Sequence, residues 1–434
     1  MAKTGKLLVV QGAQWGSEGK GQVAALLAER EADCAVRTGS INAGHTVTFE
    51  GNQYKMQLVP TAWVVRGMPL YIGPGAYIEQ DILDREVAEV SAALGEDIRN
   101  RLYIDSRCFI HSSEAKDKAK KANRHVEMGA TGKGSSEAVI QKLRSRGDFE
   151  QAESLKFSNS KRNAGYNLCD VPSLLMGHYK KGDVILFEGT QGSLLDLHVG
   201  PHPFVTNRSC NAATWIQEAG LSPALNTEVV FVARTFPIRV AGNSGPMPNE
   251  TTWPEMWNTW NRHLCTDYVD PISIHNYQCI MDARFEQSIS KLSELQLALI
   301  DIPTSYQPHK FTEDQRRVFK EELSNVPMDA WKSLSDADQE NLRPFIEMTT
   351  VTKKPRRISK FDLDSYRQAC LWNAPNRVFL GFANYLDPKL WGSTDLEDVK
   401  KSSIVGKLAE ILQMEGTPVF GVSTGPNPEH HLFV

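Results

Sequence analysis

The sequence is short of positive charge, of paired cysteines and of long apolar runs. Lysines and arginines number 48 against 52 aspartates and glutamates, a net charge of −4. Sequence-independent nucleic-acid binding needs a basic footprint and is a poor fit. Seven cysteines (Cys34, Cys108, Cys169, Cys210, Cys265, Cys279 and Cys370) form no C-x-x-C pair and match no zinc spacing. They read as inert thiols of a reducing compartment. No apolar stretch is long enough to span a bilayer. The opening MAKTGKLLVVQG lacks a long apolar segment with a cleavage site behind it. A cytoplasmic protein without membrane contact is expected. Internal repeats and low-complexity tracts are also missing. What is present is 434 residues, 41% of them hydrophobic, enough for a large core in one domain or in two or three smaller ones.

Lys6 to Val10 is an apolar run suited to a buried strand. A glycine-rich stretch follows, and from Gln22 onward Val23, Leu26 and Leu27 fall on one helical face. Strand, glycine turn, helix is the start of an α/β unit. PLYIGPGAYI, RLYID, GDVILFEGTQG, NRVFLGFANYLD and TPVFGVSTGPN read as further strands, and TEVVFVARTFPIRVAG as a strand pair or one long strand. DILDREVAEVSAAL and SSEAKDKAKKAN read as helices. Thr251 to about Glu347 differs: it is tryptophan-rich (TTWPEMWNTWNRH), then charged and helical (FTEDQRRVFKEELSN), with Thr312 as a helix cap. Several strand ends carry polar, glycine-containing tips, and ligands of open α/β sheets bind outside the carboxyl ends of strands.

The stretch VVQGAQWGSEGKGQ, Val9 to Gln22, departs from a Walker loop, G-x-x-x-x-G-K-[ST]. Gly19 and Lys20 supply the last Gly-Lys. Gln14 stands where the first glycine belongs, and Gly21 where the magnesium-binding hydroxyl belongs. The helix that follows still offers N–H groups to an anion. Other segments are ambiguous taken singly. INAGHT, Ile41 to Thr46, holds a histidine of a kind more often structural than functional. GATGKG, Gly129 to Gly134, is a phosphate loop or a turn. TKKPRR, Thr352 to Arg357, is a solvated cationic face or a receptor for carboxylate or phosphate. EGTQG, Glu188 to Gly192, is a bare turn or a strand tip with a hydrogen-bonding amide. EHHLFV reads as a terminal tail whose adjacent histidines lack a third metal ligand.

Order and spacing say more. QWGSEGKG, NAGHT, GATGKG, FEGTQGSLLDL, PFVT, TKKPRR and STGP, in that order, resemble the adenylosuccinate synthetase family. Its motifs read Q-W-G-D-E-G-K-G-K, N-A-G-H-T, T-T-G-R-G, F-E-G-A-Q-G-T-L-L-D and S-T-G-P-D-R. The resemblance runs from Leu7 to about Pro248 and resumes at about Thr349. Residues 251–347 are therefore expected to be a helical insertion within a single synthetase-like domain, 1–434. The resemblance implies an α/β fold with a large central, mostly parallel sheet, flanking helices and a P-loop-like phosphate-binding turn. It implies a ligase that phosphorylates the C6 oxygen of a purine monophosphate and displaces the phosphate with the amine of L-aspartate. Mg2+ and oriented dipoles would stabilise the charge. Catalytic positions would be Ser17, Lys20, His45 and Gln191. The phosphate donor would sit on Gly16, Ser17, Glu18, Gly19, Lys20, Gly21, Gly44, His45, Thr46, Tyr385, Asp387, Ser423 and Gly425. The purine monophosphate would sit on Ser17, Asn42, Ala130, Thr131, Gln191 and Thr206, with Arg144 or Arg146 reaching its 5′-phosphate across a homodimer. Thr350, Val351, Thr352, Lys354 and Arg356 would receive the aspartate, and Ser17 with the Gly44 carbonyl would bind the Mg2+.

Three departures bear on substrate. Ser17 stands where the family has an aspartate that takes the purine N1 proton and binds magnesium, which also explains why the family needs no Walker hydroxyl. Losing that base outright costs a factor of roughly 10²–10⁴. The aspartate lies against the N1/C2 edge of the base. Serine is smaller and uncharged there, and its hydroxyl can accept a hydrogen bond from a 2-amino group, so guanine is expected. Lys354 replaces an arginine that bridges aspartate and the ribose 2′-hydroxyl; lysine lacks the planar fork, which fits a deoxyribose. Asn384-Tyr385-Leu386-Asp387 replaces T-K-L-D, the reader of GTP, and S-T-G-P-D-R has become Ser423-Thr424-Gly425-Pro426-Asn427-Pro428, which favours ATP or dATP. Together these resemble the phage-encoded branch of the family, which makes N6-succino-2-amino-2′-deoxyadenylate from dGMP and L-aspartate on the way to diaminopurine DNA. Two rivals stand beside this reading: an ordinary synthetase using IMP and GTP, and a catalytically inactive purine-nucleotide-binding regulator.

Overall fold

The structure is a computed structural model, and it describes residues 4–111, 134–145, 165–240, 244–251, 256, 347 and 356–434. The helices expected at SSEAKDKAKKAN and after Thr312, and nearly all of 251–347, lie outside the described residues. Seventeen strands are described. They are β1 (Lys6–Gly12), β2 (Cys34–Arg37), β3 (His45–Phe49), β4 (Asn52–Met56), β5 (Leu70–Ile72), β6 (Tyr77–Ile78), β7 (Leu102–Asp105), β8 (Phe109–Ile110) and β9 (Asn167–Cys169), followed by β10 (Val184–Gly192), β11 (Thr227–Arg234), β12 (Ile238–Arg239), β13 (Glu250–Thr251), β14 (Arg357–Ser359), β15 (Arg377–Gly381), β16 (Val419–Ser423) and β17 (His431–Phe433). The chain divides into two compact units, one of Met1–His125, Thr131–Pro237 and Leu363–Val434, the other of Val126–Ala130 and Ile238–Asp362.

The first unit is built on a ten-stranded sheet in the order β17-β16-β15-β11-β1-β10-β2-β5-β7-β9. Every pairing in it is parallel except β16 with β17. β1 lies in the interior of the sheet because its apolar run is covered on both faces: Leu7, Leu8, Val9 and Val10 are all fully buried. That is the pattern of a parallel strand with layers above and below. The helix after the glycine turn, α1 (Lys20–Glu31), starts two residues before its apolar periodicity. Lys20 and Gly21 are themselves buried in its first turn, so the polar and glycine start hid it from the pattern. DILDREVAEVSAAL lies within α2 (Gln80–Leu94), and Ser135–Ser145 forms α3. No helix among the described residues is long and apolar enough to cross a membrane.

TEVVFVARTFPIRVAG proves to be two strands in different sheets. β11 ends at Arg234, Pro237 lacks the N–H needed to continue a ladder, and β12 joins a three-stranded antiparallel sheet of the second unit, β12-β14-β13. There Arg357 holds the Glu250 carboxylate through Nε at 2.6 Å and the Gly245 carbonyl through Nη1 at 2.6 Å.

EHHLFV, expected to be a tail, instead contains the antiparallel edge strand β17, with His431 opposite Ser423 and Phe433 opposite Gly421. Three residues are too few to show a strand period; tertiary contacts decide the matter. Phe433 packs against Phe379 and Phe420 with centroids 6.0 Å away, under the Arg30 guanidinium at 3.7 Å. The His431 ring stacks on Phe379 at 5.7 Å, and its Nδ1 lies 2.8 Å from the Asn427 carbonyl, to which it donates. Burial pushes the imidazole down to about 4 from its ordinary 6.5. The unfolded chain therefore takes up a proton as pH falls below 6.5 while the folded chain refuses it until about 4, and stability is lost across that window. His45 titrates in the same range with the same sign. Replacing His431 with phenylalanine should flatten the stability difference between pH 6.5 and 4 by about 1–3 kcal/mol. Urea unfolding at pH 7 and at pH 4.5 reads this directly; an unchanged slope would contradict it.

Candidate active site

The glycine turn between β1 and α1 closes on itself. Gly16, Ser17 and Gly19 all have positive φ, with Ser17 at 60°. Glu18, buried, turns its carboxylate inward. Oε1 accepts the amides of Gln14 at 3.1 Å and Gly16 at 2.8 Å, and Oε2 lies 2.5 Å from Lys20 Nζ. The donor position Glu18 thus braces the loop, while Ser17 and Gly19 are exposed on its rim. Gln14, which displaces a Walker glycine, has a bridging role. Its side-chain amide donates to the Arg234 carbonyl at 3.0 Å and accepts from the Arg234 amide at 2.9 Å. The missing Walker hydroxyl has a steric reason as well. A Cβ on Gly21 would stand 2.7 Å from the Thr46 carbonyl oxygen and 2.9 Å from the His45 Cβ, so no serine or threonine fits.

That contact brings His45, the first residue of β3, against the start of α1. Its partner was not among the expected site residues. In the parallel register of β10 with β2, Glu188 stands opposite Arg37. Glu188 Oε1 takes Arg37 Nη1 at 2.7 Å and His45 Nδ1 at 2.5 Å, and Oε2 accepts the Thr61 amide at 2.6 Å and hydroxyl at 3.0 Å. Arg37 also donates to the Ala43 carbonyl at 3.2 Å, fixing the turn that leads to His45. Burial by itself would raise Glu188, but Arg37, His45 and the Thr61 amide together hold it below the usual carboxylate range. Burial and the Arg37 cation push His45 down to about 4. The ring is therefore neutral near pH 7. Because a carboxylate only accepts, Nδ1 carries the proton, and Nε2 is the nitrogen presented to a ligand.

The other expected positions sort by place. Gln191 follows three residues after Glu188 at φ 66°, next to Gly192, which pairs with Gly12 at the end of β1. Asn42 and Gly44 flank Ala43 in the turn before His45; Gly44 is exposed, with open space around its Cα. The Thr206 amide donates to Leu195 at 2.8 Å. Beside Gly19 lies the Phe382 ring, 3.7 Å from where a Cβ would stand. The Arg234 guanidinium stacks on Phe382 at 3.5 Å and donates to the Ser17 carbonyl at 3.1 Å. Tyr385 meets Phe382 edge-on at 5.3 Å, and Ser423 Oγ accepts the Phe382 amide at 2.9 Å. Loop, aromatic pair and Ser423 are thus gathered on one side. Asp387 is committed elsewhere. Its carboxylate accepts the Ser402 hydroxyl at 2.6 Å and the Lys389 amide at 3.1 Å. Gly425 packs against His430, 2.4 Å from a would-be Cβ. Arg144 is exposed in the last turn of α3. In the second unit Arg356 is buried, with Nε 3.3 Å from Glu347 Oε1. Ala130, Thr131, Arg146, Thr350, Val351, Thr352 and Lys354 lie outside the described residues. Arg37, Glu188, Thr61 and Arg234 are the residues sequence reasoning missed. Glu188 lies inside the EGTQG motif and Arg234 inside the quoted strand segment TEVVFVARTFPIRVAG, but nothing local marks a site role for either, or for Arg37 and Thr61.

A neutral histidine held by a buried carboxylate, beside a Gly-Lys turn at the carboxyl ends of parallel strands, suits phosphoryl chemistry on a nucleotide. The sequence profile of adenylosuccinate synthetases matches residues 9–150 and 148–388. The chain belongs to the adenylosuccinate synthetase family. It is accordingly a C–N bond-forming ligase that binds purine nucleotides. Adenylosuccinate synthetase of Methanococcus vannielii is 33% identical over 251 residues, 57% of this chain and 70% of that protein. That of Methanococcus aeolicus is 25% identical over 426 residues, 96% of both chains. Among solved structures, the cyanophage S-2L succinoaminodeoxyadenylate synthetase PurZ, bound to dGMP and dATP, superposes with a TM-score of 0.65 at 22% identity, covering 99% of this chain and 95% of that one. Fully ligated adenylosuccinate synthetase of Plasmodium falciparum superposes with a TM-score of 0.66 at 16% identity, covering 98% and 99%. At these identities the two likenesses speak for the fold.

Proposed function

We propose that the chain condenses L-aspartate with C6 of dGMP at the expense of ATP or dATP, giving N6-succino-2-amino-2′-deoxyadenylate, the nucleoside diphosphate and phosphate. The observation that carries this reading is position 17. A small neutral hydroxyl sits on the exposed rim of the loop, where the bulkier side chain of a family aspartate would crowd the 2-amino edge of guanine. The dGMP and dATP bound to the cyanophage enzyme support it by likeness. The committed Asp387 carboxylate and Tyr385 in place of a lysine support an adenine donor over GTP.

In this reading Lys20 and the loop amides hold the donor phosphates. The O6 of guanine attacks the γ-phosphorus, the nucleoside diphosphate leaves, and the amine of aspartate then displaces phosphate from C6. Burial, with the Arg37 cation, keeps His45 neutral in the free chain; negative phosphates placed beside Nε2 favour a proton there, which Nε2 then donates to the transferred phosphoryl group and O6. Gln191 orients O6, and the N1 proton leaves through water relayed by Ser17. Among the described residues no cluster of three or more His, Cys, Asp or Glu could cage a metal. Ser17 and the exposed Gly44 carbonyl are hard, neutral oxygens, which suits Mg2+ that arrives on phosphates and keeps its waters. When bound, that ion would neutralise charge on the donor. Asn42 and Thr206, with Ala130 and Thr131, hold the purine monophosphate, and Arg144 or Arg146 of a second copy reaches its phosphate in a homodimer. Residues 350–356 receive aspartate, and 251–347 form a helical insertion in one synthetase domain.

The rival with an observation behind it is an ordinary synthetase using IMP and GTP, the name that the archaeal relatives carry. Supplying dGMP or IMP, each with ATP, dATP or GTP, and measuring aspartate-dependent phosphate release and new product decides between them. Product from dGMP with an adenine donor is expected; product from IMP alone would defeat the proposal. Tight dGMP binding without phosphate release would instead indicate an inactive regulator.

A further inference from the structure

Two residues beside the glycine turn hold a left-handed backbone without being glycine: Ser17 at φ 60° and Phe382 at φ 62°. A bulky L-residue enters that region only at a cost. It stays there where its surroundings over-determine it, and such positions gather at functional sites. Phe382 is pinned on both sides. Ser423 Oγ accepts its amide at 2.9 Å, and the Thr235 hydroxyl donates to its carbonyl at 2.5 Å. Its ring is half-buried, with an edge against Gly19.

One side chain joins the two. Arg234 ends β11 and is fully buried. Its own backbone is fixed, because the Gln14 amide grips both its N–H and its carbonyl. The guanidinium then reaches in two directions. In its plane, Nη1 donates to the Ser17 carbonyl at 3.1 Å and Nε to the Phe236 carbonyl at 3.1 Å. Across its face, the Phe382 ring centre is 3.5 Å from the guanidinium carbon, and the Tyr385 ring centre stands at 5.4 Å. A planar fork can do both at once, since hydrogen bonds use its edge and ring stacking its face. Burial strengthens the stack, because water does not compete for the cation. A lysine offers no such plane.

The geometry points to Arg234 as a positioning residue for Ser17, with the Phe382 ring as the plate that sets the guanidinium plane. Ser17 is the residue assigned above to the N1/C2 edge of the purine. Its backbone aims its hydroxyl, and Arg234 holds that backbone at the carbonyl. Purine selectivity therefore depends on two side chains outside the motif that carries Ser17. The inference rests on the assignment of position 17 to the purine, not on which purine is preferred.

Two variants test it. Arg234→Lys keeps the charge and loses the fork and the face. Phe382→Leu keeps apolar bulk and loses the ring, and it leaves Arg234 in place should the first variant fail to fold. Amide hydrogen exchange of the full chain, without ligands, reads the loop. Peptides spanning Gln14–Gly19 should exchange at least about tenfold faster in both variants, while peptides of β1 and β10 hold. Unchanged exchange in the loop overturns the assignment, and so does equal acceleration everywhere, the mark of a merely structural arginine. Turnover is then compared for dGMP and IMP at saturating donor and aspartate. The preference between them, whichever way the parent chain leans, should shrink by about tenfold in each variant; a preference within about twofold of the parent overturns the assignment. Ser17→Asp completes a double-mutant cycle. Its effect on the preference should be several-fold smaller in the Phe382→Leu chain than in the parent, because the side chain at 17 is no longer aimed; additive effects overturn the link between the two positions. A parent chain that prefers IMP would defeat the dGMP reading, and a preference that still shrinks would leave the role of Arg234 standing.

Discussion

Glu188→Gln should lower aspartate-dependent turnover by about 10²–10⁴-fold and cost about 3–5 kcal/mol of stability. The carboxylate takes donors from Arg37, His45 and Thr61. An amide has one acceptor oxygen and turns an N–H₂ toward groups that are themselves donors. The Arg37 side chain is 1% exposed, so its cation would be left buried and unpaired, which is where the stability goes. His45 would lose the acceptor that fixes its Nδ1 proton, and with it the aim of Nε2. The two losses can be separated. Arg37→Met together with Glu188→Met removes the buried charge pair as a unit, and should recover much of the stability because buried pairs are often replaceable by packed apolar side chains. Turnover should stay low. Urea unfolding and single-turnover phosphate release give the two numbers. A Glu188→Gln chain that folds and turns over within about threefold of the parent would mean that Glu188 does not orient His45.

Ser17→Asp should reverse substrate preference. We expect dGMP turnover to fall at least about tenfold and the ratio of IMP to dGMP turnover to rise by about 10² or more, since a general base is worth roughly 10²–10⁴ where it is used. The exchange should not disturb the loop. Ser17 has φ 60°, a left-handed conformation that aspartate tolerates better than most side chains, and the position is exposed. The change is therefore confined to charge and volume at the base edge. A carboxylate there crowds a 2-amino group and serves as a base for a purine without one. Improved dGMP turnover in the variant would remove the physical ground for guanine selection.

The order of legible and hidden features follows from locality. β1, the glycine turn and α1 could be read because an apolar run, a cluster of glycines and a helical period are properties of neighbouring residues. Lys20, His45 and Gln191 could be read from motifs in a fixed order. Arg37 could not: one arginine in CAVRTG carries no local signal, and its meaning comes from Glu188, 151 positions away. Gln14 could be seen as a departure from a Walker loop, but not as the clamp on the Arg234 backbone. Gly21 could be seen as a missing hydroxyl, but not as the point where β3 crosses α1 too closely for a side chain. EHHLFV reads as a tail because the three-residue strand inside it is too short to show a period.

The sequence by itself determined the α/β class, the glycine turn and the family, because the first two are written in apolar runs, glycines and helical periods along one stretch of chain and the third in motifs of fixed order. Only the tertiary structure decided which groups hold those residues in place: the Arg37–Glu188–His45 chain and the Gln14–Arg234–Phe382 brace. Each of these depends on strand register and helix crossing, which place residues far apart in sequence within hydrogen-bond reach. Short-range pattern carries no record of that.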